Sequence, residues 1–216
     1  MTSLRHNNEP RDGYLDAARD CILDVGWRRT TLTEVARRAG VSRMTIYRTW
    51  SDMPTLLGDL MTREWAGVVA ASLAEEHADE HTDEHTEAPD GDSADDDPGT
   101  PTIERLVADI VGTVQRLREN ELFVRIVDLD PELILPYLFS RRGRSQDGIL
   151  ELTVNALREA QAAGVARQGN PVAMARAMLL AAHGFVLSVH TMIDEDATAE
   201  ELDAELRLAL TRSLEP

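Results

Sequence analysis

Apolar positions recur at intervals of three and four residues along most of the chain, and strict apolar-polar alternation is almost absent, so the pattern predicts helices throughout. Leu15, Ala18, Ile22 and Val25 mark a first helix that Gly26 ends, with Cys21 flanking its apolar face. Leu32, Val35, Ala36 and Ala39 then fall at i, i+3, i+4 and i+7. Thr31 stands three residues ahead of Glu34, a spacing that predicts a reciprocal capping box over the first turn. Gly40 closes this short helix, Ser42 caps the next, and Ile46 and Trp50 lie one turn apart on its buried side. Two short helices meeting across a glycine turn between Leu32 and Trp50 make a helix-turn-helix. Pro54 suits the first turn of a longer helix that Leu56, Leu57, Leu60, Met61 and Trp65 carry to about Leu73.

The pattern then lapses. Residues 75–101 hold a four-residue repeat around His77, His81 and His85 and then Pro89, Gly91, Pro98, Gly99 and Pro101, too few apolar groups to offset the entropy of ordering. Helical spacing resumes with Ile103, Leu106, Val107, Ile110, Val111, Val114 and Leu117, followed by a shorter segment from Leu122 to Leu129 closed by Asp130-Pro131. An apolar stretch covers Leu133 to Phe139, a polar break falls at Arg141-Arg142-Gly143-Arg144, and an amphipathic helix runs from Ile149 to Ala163. Asn170-Pro171 starts a strongly apolar helix through Val189, and a last helix carries Leu202, Leu206, Leu208, Leu210 and Leu214. The expected fold is all-α, with about nine helices. It divides into a mobile arm over 1–10, a three-helix DNA-binding head over 11–57, a connecting helix over 58–74, an acidic disordered linker over 75–101 and a helical bundle over 102–216.

Charge changes the picture twice. A net charge of −17 over 216 residues argues against a nucleic-acid partner, because phosphates repel an acidic surface. Its distribution reverses the argument: Trp27 to Trp50 holds Arg28, Arg29, Arg37, Arg38, Arg43 and Arg48 against Glu34 alone, a local +5, while Glu75 to Asp97 holds twelve acidic residues and no Arg or Lys. The lone Cys21 excludes an internal disulfide and a Cys-pair zinc site. The N-terminus has no apolar signal core and no stretch reaches roughly 20 uninterrupted apolar residues, so a soluble, cytoplasmic chain without a membrane partner is expected. With no glycine-rich phosphate loop, nucleophile elbow or metal-ligand helix signature, neither an enzyme nor a cofactor is expected. His77, His81 and His85 would share one face of a helix among carboxylates, a donor set that suits Zn²⁺ or Ni²⁺, so a metal-responsive protein stands as the alternative to a solvated linker.

The run Thr31-Leu32-Thr33-Glu34-Val35-Ala36, then Ala39-Gly40-Val41-Ser42, Thr45-Ile46-Tyr47-Arg48-Thr49-Trp50 and Leu56-Leu57 resembles the tetracycline-repressor (TetR/AcrR) family of transcriptional regulators. Asp130-Pro131-Glu132-Leu133 and Gly169-Asn170-Pro171 look like segments of that family's ligand-binding body. The resemblance implies a homodimeric repressor that sets its third helix in the major groove of each half of a pseudo-palindromic operator and leaves when a small-molecule effector binds. With Val41, Ile46 and Trp50 facing inward, Arg43, Met44, Thr45, Tyr47, Arg48 and Thr49 project outward. Arg43 and Thr45 are the candidates for base edges, Tyr47 and Arg48 for phosphates, and Thr33 for one further phosphate contact. Two residues depart from the family's habit: Met53 stands where Lys is common, and Met44 where a small residue is common. Helices over about 171–193 and 198–214 are the expected dimer interface, their small residues Ala173, Ala175, Ala177, Ala181, Ala182 and Gly184 allowing close approach. Phe123, Ile126, Tyr137, Phe139, Leu150, Met174, Met178, His183 and His190 are the candidates for a mainly apolar effector pocket. The competing reading is an interaction module with a degenerate head that does not bind DNA.

Overall fold

A computed structural model describes residues 9–79 and 102–216. Among the described residues there are ten α-helices and no strand, one helix more than the pattern predicts. The extra element is α7 (Leu135–Phe139), which separates from α6 (Glu121–Leu129) because Pro131 and Pro136 cannot donate to a continuous helical ladder. The described residues form two compact units: those up to Ala66 with Glu119–Ser145, and those of Gly67–Arg118 with Gln146–Pro216. Residues 119–145 pack with the N-terminal head.

In the first unit, α1 (Glu9–Val25), α2 (Leu32–Arg38), α3 (Arg43–Thr49) and the start of α4 (Met53–Asp79) enclose a core of Leu15, Ala18, Ile22, Leu32, Val35, Ile46, Trp50, Leu56 and Leu60. Leu122 and Ile126 of α6 complete it. Helical spacing shows that these two residues are buried but not which core receives them, which is why they escaped a head defined by its motif. α1 takes in Glu9 and Pro10, which the arm was expected to contain. Gly26 and Gly40 end α1 and α2 with φ of 84° and 67°, the left-handed region that a Cβ disfavours. α4 starts at Met53 as expected, where Asp52 Oδ1 accepts the Thr55 amide at 2.8 Å, and runs past the expected end near Leu73 over 75–79, where Glu75 and Glu76 are good helix formers.

The second unit joins α5 (Ile103–Glu119), α8 (Arg144–Ala162), α9 (Pro171–Ser188) and α10 (Ala199–Leu214) around Val107, Val111, Val114, Leu157, Met174, Met178, Leu206, Leu210 and Leu214. Asn170 caps α9 through the Val172 and Ala173 amides, and Thr198 with Glu201 forms a reciprocal capping box on α10. Within this core a buried ion pair joins Arg118 of α5 to Asp203 of α10, whose carboxylate also accepts from Gln115 at 2.9 Å. Pro171–Thr191 is long and apolar enough to cross a membrane by length and composition, although Arg176, His183 and His190 interrupt it, and 22% of that window is buried in the fold.

Candidate nucleic-acid interface

Two turns of helix present the site, and its geometry starts at the two caps. Thr31 Oγ1 accepts the Glu34 amide at 3.2 Å, but the expected reciprocal half of the box does not form. The Glu34 carboxylate turns instead to Arg37, three residues on, whose Nε donates at 3.0 Å. Ser42 Oγ accepts the Thr45 amide at 3.2 Å and is hydrogen-bonded to the Thr45 hydroxyl at 2.9 Å, which fixes the first turn of α3. Ile46 and Trp50 are the buried anchors, with Val41 half-buried against the same core. The helix end is held through Trp50, whose indole N–H donates to Asp59 Oδ2 at 2.7 Å and whose ring lies edge-on to Tyr14.

Met44 is 76% and Tyr47 49% exposed, and Arg43 and Arg48 are exposed beside them. At 100° per residue these four side chains occupy an arc of roughly 140° on one side of α3. Thr45 is half-buried with its hydroxyl at the cap, and the Thr49 hydroxyl donates to its own helix, at the Thr45 carbonyl, at 3.1 Å. Both hydroxyls are thus already engaged, which moves the polar face of the helix onto the arginines and Tyr47. Thr33 is half-buried in the first turn of α2.

The local charge of +5 is less than it looked. All 22 basic residues of the chain are arginine, whose forked donors pair readily with carboxylates. Arg28 donates to Glu132 at 2.7 Å and lies 3.3 Å from Asp130, Arg37 pairs with Glu34, and Arg38 pairs with Asp24. Hydrogen bonding to Arg28 and to Arg37 holds the carboxyls of Glu132 and Glu34 below their ordinary range, so both pairs stay ionised at neutral pH. Among the described residues no carboxylate pairs with Arg29, Arg43 or Arg48. Arg29 was counted in the basic run but not singled out, because its distinction is the pairing of its neighbours with acids as remote in sequence as Glu132.

The nine pocket candidates are not brought together in one unit. Phe123 and Ile126 are buried in the head, Phe123 edge-on to Trp65 at 5.3 Å between ring centres, while Tyr137 is half-buried and Phe139 80% exposed on α7. Leu150, Met174 and Met178 are buried in the second core, His190 is exposed, and His183 is half-buried 3.2 Å from Gln146 Nε2. Burial lowers the His183 pKa and keeps the ring neutral. The side chains of His77, His81 and His85 lie outside the described residues, among which no three metal-ligating groups gather.

A capped pair of short helices, the second exposing unpaired cations from a buried anchor, is the helix-turn-helix head of a DNA-binding regulator. Residues 15–60 match the model of the bacterial regulatory proteins of the tetR family. An uncharacterized HTH-type transcriptional regulator of Mycobacterium bovis is 34% identical over 207 residues, 94% of this chain and 95% of its own. The chain belongs to the tetR family of transcriptional regulators. Its fold is shared by a Rhodococcus sp. RHA1 protein of unknown function, with a TM-score of 0.63, 22% identity and all of both chains covered. SmeT, a repressor of Stenotrophomonas maltophilia solved in complex with triclosan, matches with a TM-score of 0.57 and 22% identity over 96% of this chain and 92% of its own.

Proposed function

We propose that the chain is a homodimeric, ligand-responsive repressor that reads a pseudo-palindromic operator with α3. The observation that carries this reading is the set of exposed, unpaired arginines on and beside α3, where neighbouring arginines are neutralised. Arg43, in the first turn, takes a guanine edge through its paired N–H groups, and Met44 meets a thymine methyl. Tyr47, Arg48 and Arg29 hold phosphates, with Thr33, Thr45 and Thr49 packing the backbone close to the duplex.

The dimer forms through α9 and α10. Ala173, Ala177, Leu180 and Gly184 are exposed at helical spacing, Leu180 by 70%, and this apolar stripe has no cover among the described residues. Its small residues let a second α9 approach closely. The effector is a mainly apolar small molecule, a reading supported by the complex of the structurally similar SmeT with triclosan. Leu150, Met174 and Met178 supply apolar contacts, and the neutral His183 with Gln146 supplies a polar one. In vitro selection from random duplexes with the full chain, followed by footprinting, tests the whole reading. Two inverted half-sites about 10 bp apart are expected; recovery of no preferred sequence refutes it.

A further inference from the structure

We propose that Asp59 is a positioning residue for operator reading, which sets the angle of α3 by holding the Trp50 indole, and that Arg11 and Arg144 hold Asp59 in place. The proposal rests on the assignment of α3 as the reading helix. It adds a residue that never touches DNA.

α3 has few means of holding its orientation. Of its own residues only Ile46 is fully buried, and its C-terminal end is fixed by Trp50, which is 1% exposed. An indole in an apolar core can slide and tilt with little loss of contact, whereas a hydrogen bond to its one N–H fixes both its plane and its depth. Asp59 makes that bond from α4, with a side chain only 12% exposed. The same carboxylate is held from two other directions. Arg11 of α1 pairs with Oδ2 and lies over the Trp50 ring, 5.6 Å from its centre. Arg144, from the residues 119–145 that pack with the head, donates to Oδ1 at 2.5 Å.

Three helices and the end of the reading helix therefore meet at one acid. The Coulomb attraction of two guanidiniums keeps the carboxylate aimed, and the charged acceptor makes the indole bond stronger than a neutral one. Neither arginine is deeply buried, their side chains being 47% and 68% exposed, so loss of Asp59 strands no charge in the core. What it frees is Trp50, and with it the direction in which Arg43 and Tyr47 point.

The test uses the full chain and the operator that the wild type selects. Affinities for that operator and for a scrambled duplex are measured for wild type, Asp59→Leu, Trp50→Phe, the double variant and Arg144→Gln, each with its thermal midpoint. Asp59→Leu keeps the branched outline of the side chain but removes the acceptor, and Trp50→Phe keeps the aromatic plug but removes the donor. Each should cut the ratio of operator to scrambled affinity about tenfold, as expected for a hydrogen bond to a charged group, with scrambled binding and its salt dependence unchanged. The double variant should be no worse than the poorer single one, since both remove the same bond. Arg144→Gln, remote from α3 in sequence, should lower the ratio about threefold, a partial loss of the same effect. An unchanged ratio in Asp59→Leu, additive losses in the double variant, or operator and scrambled affinities falling together with the thermal midpoint would each overturn the proposal. A wild type that selects no operator would instead defeat the DNA-reading assignment itself.

Discussion

The pairing of the head arginines has a measurable consequence in salt. If all six arginines between Trp27 and Trp50 met phosphates, a dimer would neutralise twelve, and log K against log salt would fall with a slope of about −11. With Arg28, Arg37 and Arg38 engaged by Glu132, Glu34 and Asp24, and Arg43 on a base edge, Arg29 and Arg48 are left for phosphates, and the slope should be about −4. The two cases lie far apart: a fourfold rise in salt costs roughly 10²-fold in affinity in the second and roughly 10⁶-fold in the first. Fluorescence anisotropy of a labelled operator, titrated at several KCl concentrations, gives the slope directly. Arg48→Gln should reduce its magnitude by about 1.8, one phosphate in each subunit, and Arg28→Gln and Arg38→Gln should leave it unchanged. The reasoning is refuted if Arg28→Gln or Arg38→Gln reduces the slope as much as Arg48→Gln does. Either result would mean that the carboxylates release their arginines to DNA on binding.

Three further outcomes follow from single groups. Leu180→Glu places a charge in the exposed apolar stripe of α9, and sedimentation velocity should show a monomer that loses operator binding while its circular dichroism is kept. Cys21 is buried in the head, and burial pushes its thiol above the ordinary range, so alkylation by iodoacetamide should track unfolding and not precede it. His183 is depressed by burial, which means that the unfolded chain takes up its proton first as pH falls. Stability contributed by the neutral ring is therefore complete above about pH 6.5 and lost below it, and His183→Gln should flatten the fall in thermal midpoint between neutral and acidic pH.

How much of this was legible in the sequence depended on whether the partners were local. The helix-turn-helix was, because its determinants lie within one or two turns of each other: the Thr31 and Ser42 caps, the Gly40 turn and the Ile46 and Trp50 anchors. So was the capped start of α9 at Asn170-Pro171. The core that receives α6 was not, because an apolar stripe records only that a face is covered. The grouping of the pocket candidates was not legible for the same reason, since Ile126 and Met178 show the same apolar character and belong to different cores. Charge was the least legible. A run of arginines reads as a basic face, yet half of this one is answered by acids, of which Asp24 and Glu132 lie 14 and 104 residues away.

The arginines that are answered explain the ones that are not. Asp130 accepts the Trp27 amide at 3.1 Å and lies beside Arg28, so the same acid that removes a cation from the surface also fixes the turn leading into α2. Arg38 and Asp24 tie the end of α2 to α1, and Asp59 ties the end of α3 to α4. Paired charges in this head hold the two helices of the motif in register, and unpaired ones face outward. An acidic protein can therefore read DNA with few cations, provided that those few are held in place by its acids.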